Sequence, residues 1–171
     1  MAIQHNARGD NSLSKGAGTA EVLAKSRERV KAHGEVFTPR FIVDNMLDML
    51  EKENPEINVF APEKTFLEPA CGNGNFLVAI LERKLKHCKS DGDINTAVGS
   101  IYGIDIMPDN IAEAKARMQA MLPFDCMKIL DRNIVCGNFL EPENIWFLVD
   151  EAEELHEVIE RYKPKKRKKA G

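Results

Sequence analysis

From residue 65 onward, short apolar runs alternate with amphipathic stretches, and this order limits the fold more than any other feature of the chain. "TFLEPA" reads as a buried strand and "NFLVAILERKLKHCK" as the helix that follows it. "SIYGIDI" reads as a second strand, "PDNIAEAKARMQAML" as a helix opened by Pro108 at its first turn, and "NIVCGNFL" as a third strand. Strands that alternate with helices of about 12 to 15 residues point to an α/β fold with a parallel sheet. "NIWFLV" (144–149) is expected to add a fourth short strand before an acidic helix.

The stretch before residue 65 is helical in pattern. Thr19 is placed to cap a helix through "AEVLAKSRERVKAH", which Gly34 ends. "GEVFTP" is extended, and Pro39 opens a second helix, "PRFIVDNMLDMLEKEN", with Ile42, Met46, Leu47 and Leu50 at helical spacing. Residues 1–18 are polar with Gly and Ser, and are expected to be disordered. The domain proper is therefore expected over 19–150, with an acidic helix and a basic tail over 151–171.

Composition excludes several classes. With 171 residues, 43% apolar and 30% charged, the chain fits one globular domain. No run of 18 apolar residues occurs, so no membrane span is expected. The N-terminus lacks an apolar signal region, and a cytoplasmic protein is expected. Cys71, Cys88, Cys126 and Cys136 lack Cys-x-x-Cys spacing and read as buried free thiols, with no metal site. Net charge is −3, which gives no general attraction for polyanions, but the charge is segregated. "DEAEELHEVIE" (150–160) carries six carboxylates and "KPKKRKK" (163–169) six cations. That tail suits nucleic acid, solubility, or folding back on the acidic helix.

The turn after the first strand, "FLEPACGNGNF" (66–76), is where a small ligand is expected to bind. Open parallel sheets bind ligands at the carboxyl ends of their strands. Gly72 and Gly74 let a ligand approach bare backbone. Glu68 just ahead of them would repel a pyrophosphate and attract an ammonium or a sulfonium. At the end of the second strand, the Asp105 carboxylate can accept hydrogen bonds from both hydroxyls of a ribose, and Ile106 can pack on a purine. Asp105 can equally cap the helix that begins near Pro108. At the third strand end, Asn138 and Phe139 offer an amide and a ring for an adenine edge and face.

"GEVFTP", "FLEPACGNGNFL", "YGIDI" and "NIVCGNFL", in this order, resemble the amino-terminal half of the adenine-specific DNA methyltransferases of restriction–modification systems. The resemblance covers about residues 30 to 140. It implies a partial Rossmann-like class I methyltransferase fold and S-adenosylmethionine as cofactor. It assigns Thr38 and the backbone near Ala70 and Gly72 to the methionine part of that cofactor and Glu68 to its ammonium side, and it counts Pro69, Cys71, Asn73 and Gly74 of the same run among the cofactor-binding residues. By the same resemblance Asp105 binds the ribose, Ile106 packs on adenine, and Asn138 with Phe139 holds its edge and face. Most members have Asp where this chain has Asn138.

The family's catalytic signature, (Asp/Asn/Ser)-Pro-Pro-(Tyr/Phe), should follow "NIVCGNFL" and does not occur; "DEAEEL" stands there instead. No catalytic residue is therefore assigned. The resemblance implies the cofactor-binding part of an adenine methyltransferase, inactive alone, whose partner chain carries the catalytic motif and target recognition. DNA would be met through that complex. The alternative is a non-catalytic, methyltransferase-like binding or regulatory module.

Overall fold

The computed structural model describes residues 23–162. The polar stretch 1–18, Thr19 as a cap, and the basic run 163–169 lie outside the described residues.

Three strands form one parallel sheet in the order β1-β2-β3: β1 Phe66–Glu68, β2 Ile101–Asp105 and β3 Ile134–Cys136. Glu68 pairs with Gly103, and Asp105 with Cys136, so the three strands end on one side. The ladder runs on past the strands through Cys71 N–H to Ile104 C=O at 2.8 Å and Gly137 N–H to Asp105 C=O at 3.0 Å. Those bonds bring the segments after the strands side by side.

Before the sheet lie α1 (Arg27–His33) and α2 (Arg40–Lys52). Then come α3 (Asn75–Leu85), α4 (Asp91–Gly99), α5 (Pro108–Gln119), α6 (Met127–Asn133) and α7 (Ala152–Tyr162). Strand alternation sorts the two sheet faces. Ile101 and Ile134 are buried in the main core with Leu77, Leu81, Val98 and Met118 of the helices. Gly103 shares that face, and a Cβ there would lie 2.8 Å from Leu77, so glycine lets α3 settle on the sheet. On the other face Ile104 packs with Ile145 and Leu148, and the Tyr102 ring lies 4.9 Å from Phe147.

The last of these contacts corrects an expectation. "NIWFLV" is not a strand: it forms a chain of turns, held by Ile145 N–H to Pro142 C=O and Leu148 N–H to Ile145 C=O. Its apolar residues cover the second sheet face instead of extending the sheet. A short apolar run fits either role, and periodicity cannot separate them. Among the described residues the sheet therefore has β1 at one edge, where Leu67 is 40% exposed.

Other boundaries moved too. The first helix starts at Arg27, where the Ser26 hydroxyl accepts the Arg29 N–H; Gly34 ends it at φ 66° as expected. In α2, Val43 and Leu47 face the core, whereas Ile42, Met46 and Leu50 lie on an exposed side with Phe41 and Met49. Helices α4 and α6 were not anticipated. Ser90 caps α4 through the Asp93 N–H, with Asp91 and Asp93 favourably placed in its first turn. The approach to α6 is held by Gln119, which donates to the Phe124 carbonyl and accepts the Cys126 N–H. All four cysteines are free, but only Cys71 and Cys126 are buried; Cys136 is exposed.

Candidate functional site

A cavity of about 470 Å³ opens over the carboxyl ends of the three strands. Its volume suits a small organic ligand. Every site residue singled out in the sequence lines it except Gly74, whose place is structural. Gly74 sits at φ 88° at the start of α3, and a Cβ on it would stand 2.8 Å from the Ala114 Cβ. Glycine there lets α3 and α5 pack closely. Gly72, at φ 52°, does line the cavity, and a Cβ would press on the Phe37 ring at 3.0 Å. Its N–H donates to Asp105 Oδ2 at 3.0 Å, tying the β1 turn to the end of β2.

Asp105 is more heavily engaged than its sequence position suggested. Oδ1 accepts the Met107 N–H at 2.8 Å and the Asn110 Nδ2 at 3.2 Å, in addition to Gly72 on Oδ2. The bond to Met107 N–H lies just ahead of α5, so the carboxylate that lines the cavity also holds the turn into that helix. A carboxylate offers about four lone-pair sites. Three are filled, and one remains for a ligand hydroxyl.

Glu68 ends β1 partly buried, and its Oε1 accepts the Ala70 N–H at 3.3 Å. Burial pushes its pKa up, and the Ala70 N–H offsets this in part. Cys71 beside it is raised further, first by burial and then by the charges of Asp105 and Glu68, so it is a packed thiol and no nucleophile. No lysine or arginine lines the cavity among the described residues. The mouth thus presents acidic groups and favours a cationic ligand over an anionic one.

Thr38 lines the cavity, and its carbonyl accepts Asn75 Nδ2 at 2.8 Å, which pins the 34–38 segment to α3. Pro69 and Ala70 are exposed along the wall. Asn73 turns its amide away to Glu113 Oε1 at 3.0 Å. Ile106 is half-exposed at the rim, and Phe139 packs partly on the Ile104 cluster. Asn138 is engaged locally: it accepts the Leu140 N–H at 3.0 Å and donates to Glu141 Oε1 at 3.1 Å. Sequence reasoning missed Glu35, Phe37, Asn75 and Asn110. Glu35 and Phe37 stood inside "GEVFTP", which gave a signal for the segment but none for those two side chains.

These features define an α/β domain with an acidic, glycine-walled pocket at the strand ends of a parallel sheet. The family model described as N-6 DNA Methylase matches residues 21–140, and the chain belongs to that family. A curated relative, the Type II methyltransferase M.VspI of Vibrio sp. (strain 343), is 30% identical over 88 residues. That match covers 52% of this chain and 17% of the relative, so the chain spans a small part of that protein. No solved structure matches significantly. No helix among the described residues is long and apolar enough to cross a membrane.

Proposed function

We propose that the chain is the S-adenosylmethionine-binding part of a DNA adenine N6-methyltransferase of the restriction–modification type, acting in the cytoplasm. The observation that carries this reading is the desolvated Glu68 carboxylate beside the Gly72 turn, in a cavity lined by no lysine or arginine among the described residues. A ligand there needs a positive group at Glu68, a hydroxyl for Asp105, and a flat apolar part for Ile106 and Phe139. S-adenosylmethionine has an ammonium, a ribose and an adenine in that order along its length, and when bound it supplies an activated methyl group. Thr38 and the backbone at Ala70 and Gly72 would hold its amino-acid end. Asn138 would meet the adenine edge.

Membership of the family supports an adenine base in DNA as the acceptor. The relative's name, a Type II methyltransferase, supports the restriction–modification setting. A partner chain is proposed to carry the catalytic motif and target recognition, because "LEPENIWFLVDEAEELHEVIE" contains no Pro-Pro-aromatic turn that would set an acceptor and a stacking ring against the adenine. DNA is reached through that complex. Holding both reactants in attack geometry is worth about 7–11 kcal/mol of barrier, and a chain that holds only the cofactor forgoes it.

The test is incubation of the purified chain with labelled S-adenosylmethionine and mixed-sequence DNA. Background counts are expected from the chain alone, and transfer once a polypeptide bearing the Pro-Pro-aromatic motif is added. Methyladenine formed by the chain alone would overturn the division of labour. No transfer with any such polypeptide, despite bound cofactor, would favour a non-catalytic binding module.

A further inference from the structure

Asp105 has one lone-pair site left, whereas a ribose brings two hydroxyls into the cavity. The second hydroxyl needs another acceptor. Glu35 lines the same cavity, and its side chain is only 7% exposed. Its Oε2 is fully used: it accepts Arg29 Nε at 2.8 Å, pairs with a second nitrogen of that guanidinium, and accepts Asn110 Nδ2 at 3.1 Å. Its Oε1 is buried and has no hydrogen-bond partner among the described residues. A buried polar atom left unmatched is costly, and such atoms in folded proteins call for an explanation.

Glu35 is also coupled to Asp105. The same Asn110 amide donates to Glu35 Oε2 and to Asp105 Oδ1, at 3.1 and 3.2 Å. Asn110 is itself 1% exposed and accepts from Arg29 through its Oδ1. One rigid amide therefore sets the spacing between the two carboxylates. The outer torsion of a glutamate is broad, so its free oxygen can turn to a hydroxyl while Arg29 keeps the other.

We propose that Glu35 is a second hydroxyl acceptor of this site, so that the ribose diol of a nucleoside ligand is shared between Glu35 and Asp105. The proposal rests on the cofactor reading above and adds to it a residue and a rule of discrimination. Ligands lacking either hydroxyl are rejected, each through a different carboxylate. Arg29 and Asn110 are positioning residues that hold Glu35 in place.

The experiment is a calorimetric cycle with S-adenosylhomocysteine and its 2′-deoxy and 3′-deoxy analogues, on wild type and Glu35→Gln. In the variant the glutamine oxygen can stay on Arg29 while its amide takes the place of Oε1, removing the charged acceptor. For the full ligand, Glu35→Gln is expected to weaken binding about tenfold or more, the range of a charge-assisted hydrogen bond. For one of the two deoxy analogues that effect should vanish. An equal effect on all three ligands would mean a merely structural Glu35, and no effect on any would mean that it touches nothing; either result overturns the proposal. Should the variant fail to fold, wild type still decides: both analogues are expected to bind more weakly than the parent, and loss with only one would overturn the proposal. If wild type binds none of the three, the cofactor reading itself fails, an outcome distinct from the others.

Discussion

Glu68 stands at the end of β1 with its carboxylate partly withdrawn from water and no lysine or arginine around the cavity among the described residues. Its pKa is raised by burial. A carboxylate whose folded value lies above its unfolded one contributes stability that is fully present below the unfolded value, near 4.5, and lost as pH rises through the folded value. At neutral pH the ionised Glu68 therefore works against the fold, while in the role proposed for it the same charge would face the cationic group of a ligand. Glu68→Gln should leave thermal stability at neutral pH unchanged or higher, yet weaken S-adenosylmethionine binding about tenfold. In wild type the affinity should fall as pH drops through the raised value, and in the variant it should be flat over that range. Titrations from neutral to mildly acidic pH check this; identical profiles for the two proteins would deny Glu68 its role. Glu68, Gly72 and Asp105 were legible in the sequence because a strand end, a glycine turn and an acidic residue are local signals. Glu35 and Asn110 were not, because their meaning depends on an amide on α5 meeting a carboxylate 75 residues away.

At the scale of elements, α3 shows how an amphipathic pattern misleads. Lys84 falls among charged residues in "LERKLKHCK", yet it is fully buried. Its ammonium donates to the carbonyls of Ala61 (2.9 Å), Pro62 (3.0 Å) and Lys64, and to the Ser100 hydroxyl (2.8 Å). Burial pushes its pKa down to about 8. The lysine thus closes the loop that leads into β1 against the residue that precedes β2. Lys84→Met removes the donor from several acceptors at once and should cost about 2–4 kcal/mol. Urea unfolding measures it; a loss below 0.5 kcal/mol, the ordinary range for surface changes, would show that the loop holds without it. The existence of the three strands and of α2, α3 and α5 was legible from periodicity. Helices α4 and α6 were hidden because they are short and held by a Ser90 cap and by Gln119, which pattern alone does not reveal. "NIWFLV" was misread because its burial is decided by the sheet face above it.

At the largest scale, the described residues form a three-stranded sheet with helices on one face and the 145–155 segment on part of the other. Its β1 edge carries the half-exposed Leu67, and the outer side of α2 carries Phe41 and Met49, each 64% exposed. Exposed apolar surface of this kind suits further polypeptide, in keeping with the proposed partner and with the small part of the curated relative that the chain spans. All of this depends on one claim, that the strand-end cavity binds S-adenosylmethionine. Calorimetric titration of the purified chain with that ligand tests it most directly. Saturable heat with one ligand per chain is expected, displaced by S-adenosylhomocysteine and weakened by Glu68→Gln. No saturable heat at millimolar ligand, from protein shown to be folded, would contradict it.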